Sequence, residues 1–123
     1  MRIAKASLFL FLIALCSVSI ANAITNITHF EAENLLYFDV EVRLKGQVVE
    51  IMTDTSGVTT FINFGAKYPK QLFSASIASQ ELGKFGNLDR YLGKEVEITG
   101  KLKTHIGKPN IPLTSQEQIK ISE

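Results

Sequence analysis

The chain has 123 residues, with 13 Lys plus Arg against 12 Asp plus Glu, one Cys and no Trp. This limits it to one small domain and excludes a multidomain enzyme. An apolar fraction of 46% with only 3 Pro argues against a disordered chain.

In chain order, Arg2 and Lys5 precede an apolar run from Leu8 to Ile20, which Ala21-Asn22-Ala23 closes with the small-x-small pattern that signal peptidase requires. Residues 1–23 therefore read as a secretory signal cleaved after Ala23, leaving one domain over 24–123 that is periplasmic or secreted and not stably inserted in a membrane. The alternative is a retained anchor, but the run is short for a hydrocarbon core of about 30 Å. Lipidation at Cys16 is disfavoured by the bulky Leu15 before it. Cleavage removes that only cysteine, so disulfides, cysteine-ligated zinc and thiol catalysis are all excluded from the mature chain.

The mature chain keeps 11 basic and 12 acidic residues, a balance that by itself calls for no nucleic-acid partner. The distribution is uneven: residues 24–66 carry 2 basic and 6 acidic side chains, and residues 67–123 carry 9 and 6. A polyanion would meet the C-terminal half. The alternative is that the two halves interleave in the fold as ordinary solvated charges.

Thr28-His29-Phe30-Glu31 has the form of a capping box and predicts a short helix to about Leu36. From Phe38 to Lys45 the residues alternate strictly, with Phe38, Val40, Val42 and Leu44 on one face, as in a half-buried strand. Past Gly46 the phase flips to Val49 and Ile51, which predicts a bulge at Gly46 that coils the strand sharply. Thr53 to Gly57 is a turn, Val58 to Phe64 a second strand, residues 65–70 a loop around Pro69, and Leu72 to Ile77 a third strand. Ser79 is placed to cap a short helix carrying Leu82 and Phe85, followed by a turn at Gly86-Asn87 and the apolar trio Leu88, Tyr91 and Leu92. Glu95 to Ile106 alternates again, with Val96, Ile98, Leu102 and Ile106 inward. Gly107-Lys108-Pro109 turns into Ile111 to Leu113, and Ile119 with Ile121 adds a last short strand.

Three strands, a short helix and two more strands, with a bulged glycine in the first, is the order of an all-β OB-fold, a five-stranded Greek-key barrel. Here the barrel carries a short helix between strands 3 and 4 and another at the N-terminus. The stretches that bear this out run through the mature chain in order: Phe30-Glu31-Ala32, Leu44-Lys45-Gly46-Gln47-Val48, Thr60-Phe61-Ile62-Asn63-Phe64-Gly65, Tyr68-Pro69, Phe73-Ser74-Ala75-Ser76-Ile77, Leu92-Gly93-Lys94-Glu95-Val96-Glu97-Ile98-Thr99-Gly100 and Gly107-Lys108-Pro109-Asn110-Ile111. In these the chain resembles a family of small exported bacterial OB-fold domains, classed as nucleic-acid-binding-like and sometimes found beside nuclease domains. It departs from the family at Leu36-Tyr37, where the family tends to carry a glycine. The resemblance implies the fold more firmly than a function, because one fold hosts many.

OB-folds that bind ligands use the outer face of strands 2 and 3 and the loops joining strands 1 to 2 and 4 to 5. Here Phe61 and Asn63 point away from Ile62 and Phe64, so an aromatic lies on the face where bases would stack. Lys67, Tyr68 and Lys70 follow at once, and Lys103, His105 and Lys108 lie in the hairpin region beyond. These eight residues form the candidate ligand site. The competing structural reading covers Phe61, packs Tyr68 and leaves the lysines solvated, and the mature chain has only Arg43 and Arg90 to read phosphate bidentately. Catalytic signals are poor. His29 and His105 have no metal-type or triad spacing around them, and Asp39 with Glu41 and Glu95 with Glu97 are spaced as ordinary strand faces. No catalytic residue, metal or cofactor is assigned. The expected function is a non-enzymatic exported module binding single-stranded nucleic acid weakly; the alternative is an interaction or structural module with an envelope protein partner and no nucleic-acid ligand.

Overall fold

The computed structural model describes residues 24–122. The stretch read as a secretory signal lies outside them. Eight strands make up the sheet: β1 (Thr25–Asn26), β2 (Glu41–Thr53), β3 (Thr59–Phe64), β4 (Phe73–Ala78), β5 (Glu95–Lys101), β6 (Lys103–His105), β7 (Lys108–Pro112) and β8 (Ile119–Ile121). Their order is β6-β7-β4-β3-β2-β5-β8, with β1 alongside β2. The single α-turn among the described residues, α1 (His29–Ala32), begins with the expected capping box between Thr28 and Glu31. Beyond it the chain forms a 3-10 turn at Leu35–Tyr37 instead of continuing the helix to Leu36.

The pairings follow OB order. β2 is shared: residues 41–47 pair antiparallel with β5, and residues 48–53 with β3. β4 pairs antiparallel with β3 and parallel with β7. The strand count is eight instead of five, because the two-residue β1 and the short strands β6 and β8 are added to β2, β3, β4, β5 and β7. Nor does the sheet close, since no ladder joins β5 to β7. The Gln118 side chain spans that gap instead, donating from Nε2 to Thr99 O at 3.0 Å and Pro112 O at 3.4 Å. Gly100 permits the approach, as a Cβ there would stand 2.7 Å from Ile111 Cγ2.

Burial of Val42, Leu44, Ile62, Phe64, Phe73, Ile77, Val96, Ile98 and Ile111 forms the core, closed by Phe85, which caps the 3-10 segment Ser79–Lys84, and by Tyr91 of the 3-10 segment Leu88–Tyr91. Several expectations need correction. Phe38 and Val40 are exposed, because Asp39 takes a left-handed conformation (φ 64°) and the strand starts only at Glu41. The register shift in β2 falls between Val48 and Glu50, so Val48 is the buried residue and Val49 only half-buried. Gly46 stays in register with Val96, and what it provides is clearance. Ala78, not Ser79, precedes the third-strand helix, and Leu92 is exposed. Ile106 is 74% exposed: with Gly107 it forms the two-residue tip of the β6–β7 hairpin, both at positive φ, as strand twist demands of so short a turn.

Candidate functional site

Cross-strand register decides which side chains share a face. On the side of β3 away from the core, one row runs Glu50, Asn63, Ser74, Asn110 across β2, β3, β4 and β7, and the next runs Met52, Phe61, Ser76, Pro112. The first row is wholly polar, with hydrogen bonds inside it and one to Ser76 of the next row. Asn63 Nδ2 donates to Glu50 Oε1 at 2.9 Å, Asn110 Nδ2 to Ser74 Oγ at 2.9 Å, and Ser76 Oγ to Asn110 Oδ1 at 2.9 Å. Buried polar groups require such partners. Asn63, Ser74 and Asn110 are buried and Glu50 half-buried, and the loop over residues 65–71 is anchored to the row where Tyr68 N donates to Glu50 Oε1 at 3.0 Å.

The candidate residues therefore divide. Asn63 is 1% exposed and committed to Glu50, so it acts as a strut beneath the site. Phe61 is 9% exposed, covered by the His105 imidazole with ring centroids 4.8 Å apart. The aromatic surface that the face presents is thus His105, which is exposed, with Tyr68 47% exposed on the adjoining loop. Lys67 and Lys70 are exposed on that loop and form no ion pair among the described residues. Lys103 is ion-paired to Asp39, holding that carboxyl below its ordinary pKa, and lies 5.5 Å above the Phe38 ring. Lys108 Nζ donates to two backbone carbonyls, Pro69 O at 2.7 Å and Gln71 O at 2.9 Å. Structure thus brings His105, Tyr68, Lys67, Lys70 and Lys108 to one rim, while Lys103, like Lys108, lines a neighbouring cleft of about 400 Å³ with Asn34, Phe38, Leu72 and Thr104.

Glu50, Ser74, Ser76 and Asn110 were not among the residues that sequence pointed to, since polar residues at outward parity read as solvated. The backbone N–H of Tyr68, and then the Asn63 amide, hold the Glu50 carboxyl below its ordinary pKa. Because the folded value lies below the unfolded one, the stability it contributes is present above the ordinary glutamate range, near 4.5, and is lost as pH falls through the folded value. Urea midpoints recorded from pH 6 downward should fall below about pH 4.5, and Glu50→Gln should flatten that limb; an unchanged limb contradicts the anchoring role of Glu50.

The other outward pairs do different things. Glu97, only 8% exposed, faces Arg43 at 3.3 Å, Lys120 at 3.4 Å and Lys45 at 4.0 Å, an ion cluster across β2, β5 and β8. His29 lies against Phe30 at the N-terminal turn, while His105 sits at the hairpin, so the two histidines belong to separate places. No group of three or more His, Cys, Asp or Glu side chains suited to a metal occurs among the described residues. Nor is any helix among them long and apolar enough to cross a membrane.

No protein-family model matches the chain, and no curated protein matches it. Solved structures do. The structure of yeast Stn1 and Ten1 superposes with a TM-score of 0.55 at 14% identity, covering 84% of this chain and 65% of the other. A putative aspartyl-tRNA synthetase from Leishmania major Friedlin superposes with a TM-score of 0.52 at 14% identity, covering 79% of this chain and 20% of the other. The chain thus spans a fifth of the synthetase and about two thirds of the yeast chain. At these identities the likeness is one of fold, and the fold shared is the OB-fold.

Proposed function

We propose that the chain is an exported, non-enzymatic OB-fold module that binds single-stranded nucleic acid along the rim of the β3–β4 face, stacking bases on His105 and Tyr68 and meeting phosphates with Lys67 and Lys70. The observation that carries this reading is the exposed His105 ring seated on Phe61, beside a loop that presents a second ring and two lysines without ion pairs among the described residues. Aromatic platforms flanked by cations suit single strands, because every base has a π-face and every nucleotide a phosphate. The likeness to part of a tRNA synthetase supports the reading, since that protein acts on a nucleic acid.

Anisotropy titration with a labelled oligonucleotide tests it. Binding should appear at low salt and tens of micromolar protein, and weaken as salt rises through counterion release. Replacing Lys67 and Lys70 by Gln should lower the slope of log affinity against log salt by about 0.7 per lysine. Tyr68→Ala should weaken binding by about 1 to 3 kcal/mol with the slope unchanged, since stacking moves no ions. Absence of binding under those conditions overturns the reading. Export rests on the charged, apolar and small-residue order of residues 1–23. The intact mass of protein from its native host should begin at Ile24, and a mass that includes Met1 to Ala23 refutes export with cleavage.

A second reading, an interaction module for an envelope protein, is favoured by a different surface: Phe30 (74% exposed), Leu36 (81%) and Phe38 (47%) stand out from the N-terminal segment among Glu31, Glu33 and Asp39. It predicts capture of a protein partner that is lost on Leu36→Ser, and no separation between ring and lysine variants.

A further inference from the structure

We propose that Lys108 is a positioning residue that builds the binding rim by clamping the 65–71 loop to the β6–β7 hairpin, and is not itself a phosphate contact; for its ligand this rests on the nucleic-acid reading above. The ammonium of Lys108, a half-buried residue, spends two of its three protons on Pro69 O and Gln71 O. Both acceptors lie just past Tyr68, whose own N–H is held from the other side by Glu50. Tyr68 is therefore fixed fore and aft. On the hairpin, Lys108 is the direct cross-strand partner of His105, across a two-residue turn with no slack. A change at Lys108 is thus transmitted to the ring that covers Phe61. One side chain thus ties together the two segments that carry the exposed rings of the rim, and its charge is engaged by two carbonyl dipoles instead of being left free for a phosphate.

The clamp and a phosphate contact differ in what they move. In Lys108→Met, the His105 imidazole protons should lose the ring-current shift imposed by Phe61, and the amides of residues 66–71 should exchange faster. Oligonucleotide affinity should fall about 5- to 150-fold, the loss of one stacked base, with the salt slope unchanged. Lys108→Arg, which keeps a charged donor of similar reach, should restore the ring shift and most of the affinity. A slope lowered by about 0.7 with the His105 shift intact makes Lys108 a phosphate contact and overturns the proposal. So does a Met variant that changes neither quantity. If the native protein binds no oligonucleotide but the ring shift and loop exchange still respond to Lys108→Met, the clamp stands and the nucleic-acid reading falls. Should the Met variant fail to fold, the native protein decides: the Lys108 ammonium protons should exchange with water more slowly than those of Lys67, and equal rates overturn the clamp.

Discussion

Replacing Phe64 by Ala is expected to destabilise the fold by about 3 to 5 kcal/mol, more than any binding-site variant above. Phe64 is fully buried, and its ring stacks on that of Phe73 with centroids 4.4 Å apart and planes 13° from parallel. The pair joins β3 to β4 at the point where their registered rows end, next to Gly46 of β2. Removing one ring loses its transfer energy and also leaves a cavity between fully packed neighbours, Phe73 among them. Urea unfolding should show a lower midpoint with the slope retained. A loss under about 1 kcal/mol would contradict the packing described here.

Gly46→Val is expected to cost up to about 3 kcal/mol through the opposite fault, overpacking. A Cβ at Gly46 would stand 2.9 Å from Phe73 Cζ and 3.3 Å from Phe64 Cδ2. Both belong to buried stacked rings with no room to give, and the two further methyls of valine meet the same wall. Gly83→Ala is the control: a Cβ there meets nothing within 4 Å, so that change should be neutral or slightly stabilising. Thermal or urea unfolding of the two variants side by side checks the contrast. Equal stabilities would mean that Gly46 is not needed for clearance.

Proposals for the rim follow the same physics at lower energy. His105 over Phe61, Tyr68 between its two anchors and Lys108 on two carbonyls are contacts between segments far apart in sequence, and each is assigned a separable readout: ring shift, stacking energy or salt slope.

Alternation alone determined that Val42, Leu44, Val96 and Ile98 face a core, because a strand's period of two leaves an apolar face no other place to go. The capping box at Thr28 was equally legible, its hydrogen bonds being satisfied within four residues. The order of strands pointed to the OB arrangement without contacts in hand. What the sequence misplaced was whatever a non-local partner decides. Phe38, Val40 and Ile106 continue the alternation on paper, but backbone at positive φ takes Asp39 and Ile106 out of it, and extra hairpins and edge strands replace a closed five-stranded barrel. Phe61 and Asn63 lie on the face away from the core, yet both are buried, the one under the His105 ring of the hairpin and the other against Glu50. Lys103 and Lys108 illustrate the limit most directly. In the sequence both are cations beside a ligand face, and only the tertiary structure gives one to a carboxylate and the other to two carbonyls, because a charge takes the nearest partner in space, which local sequence does not name.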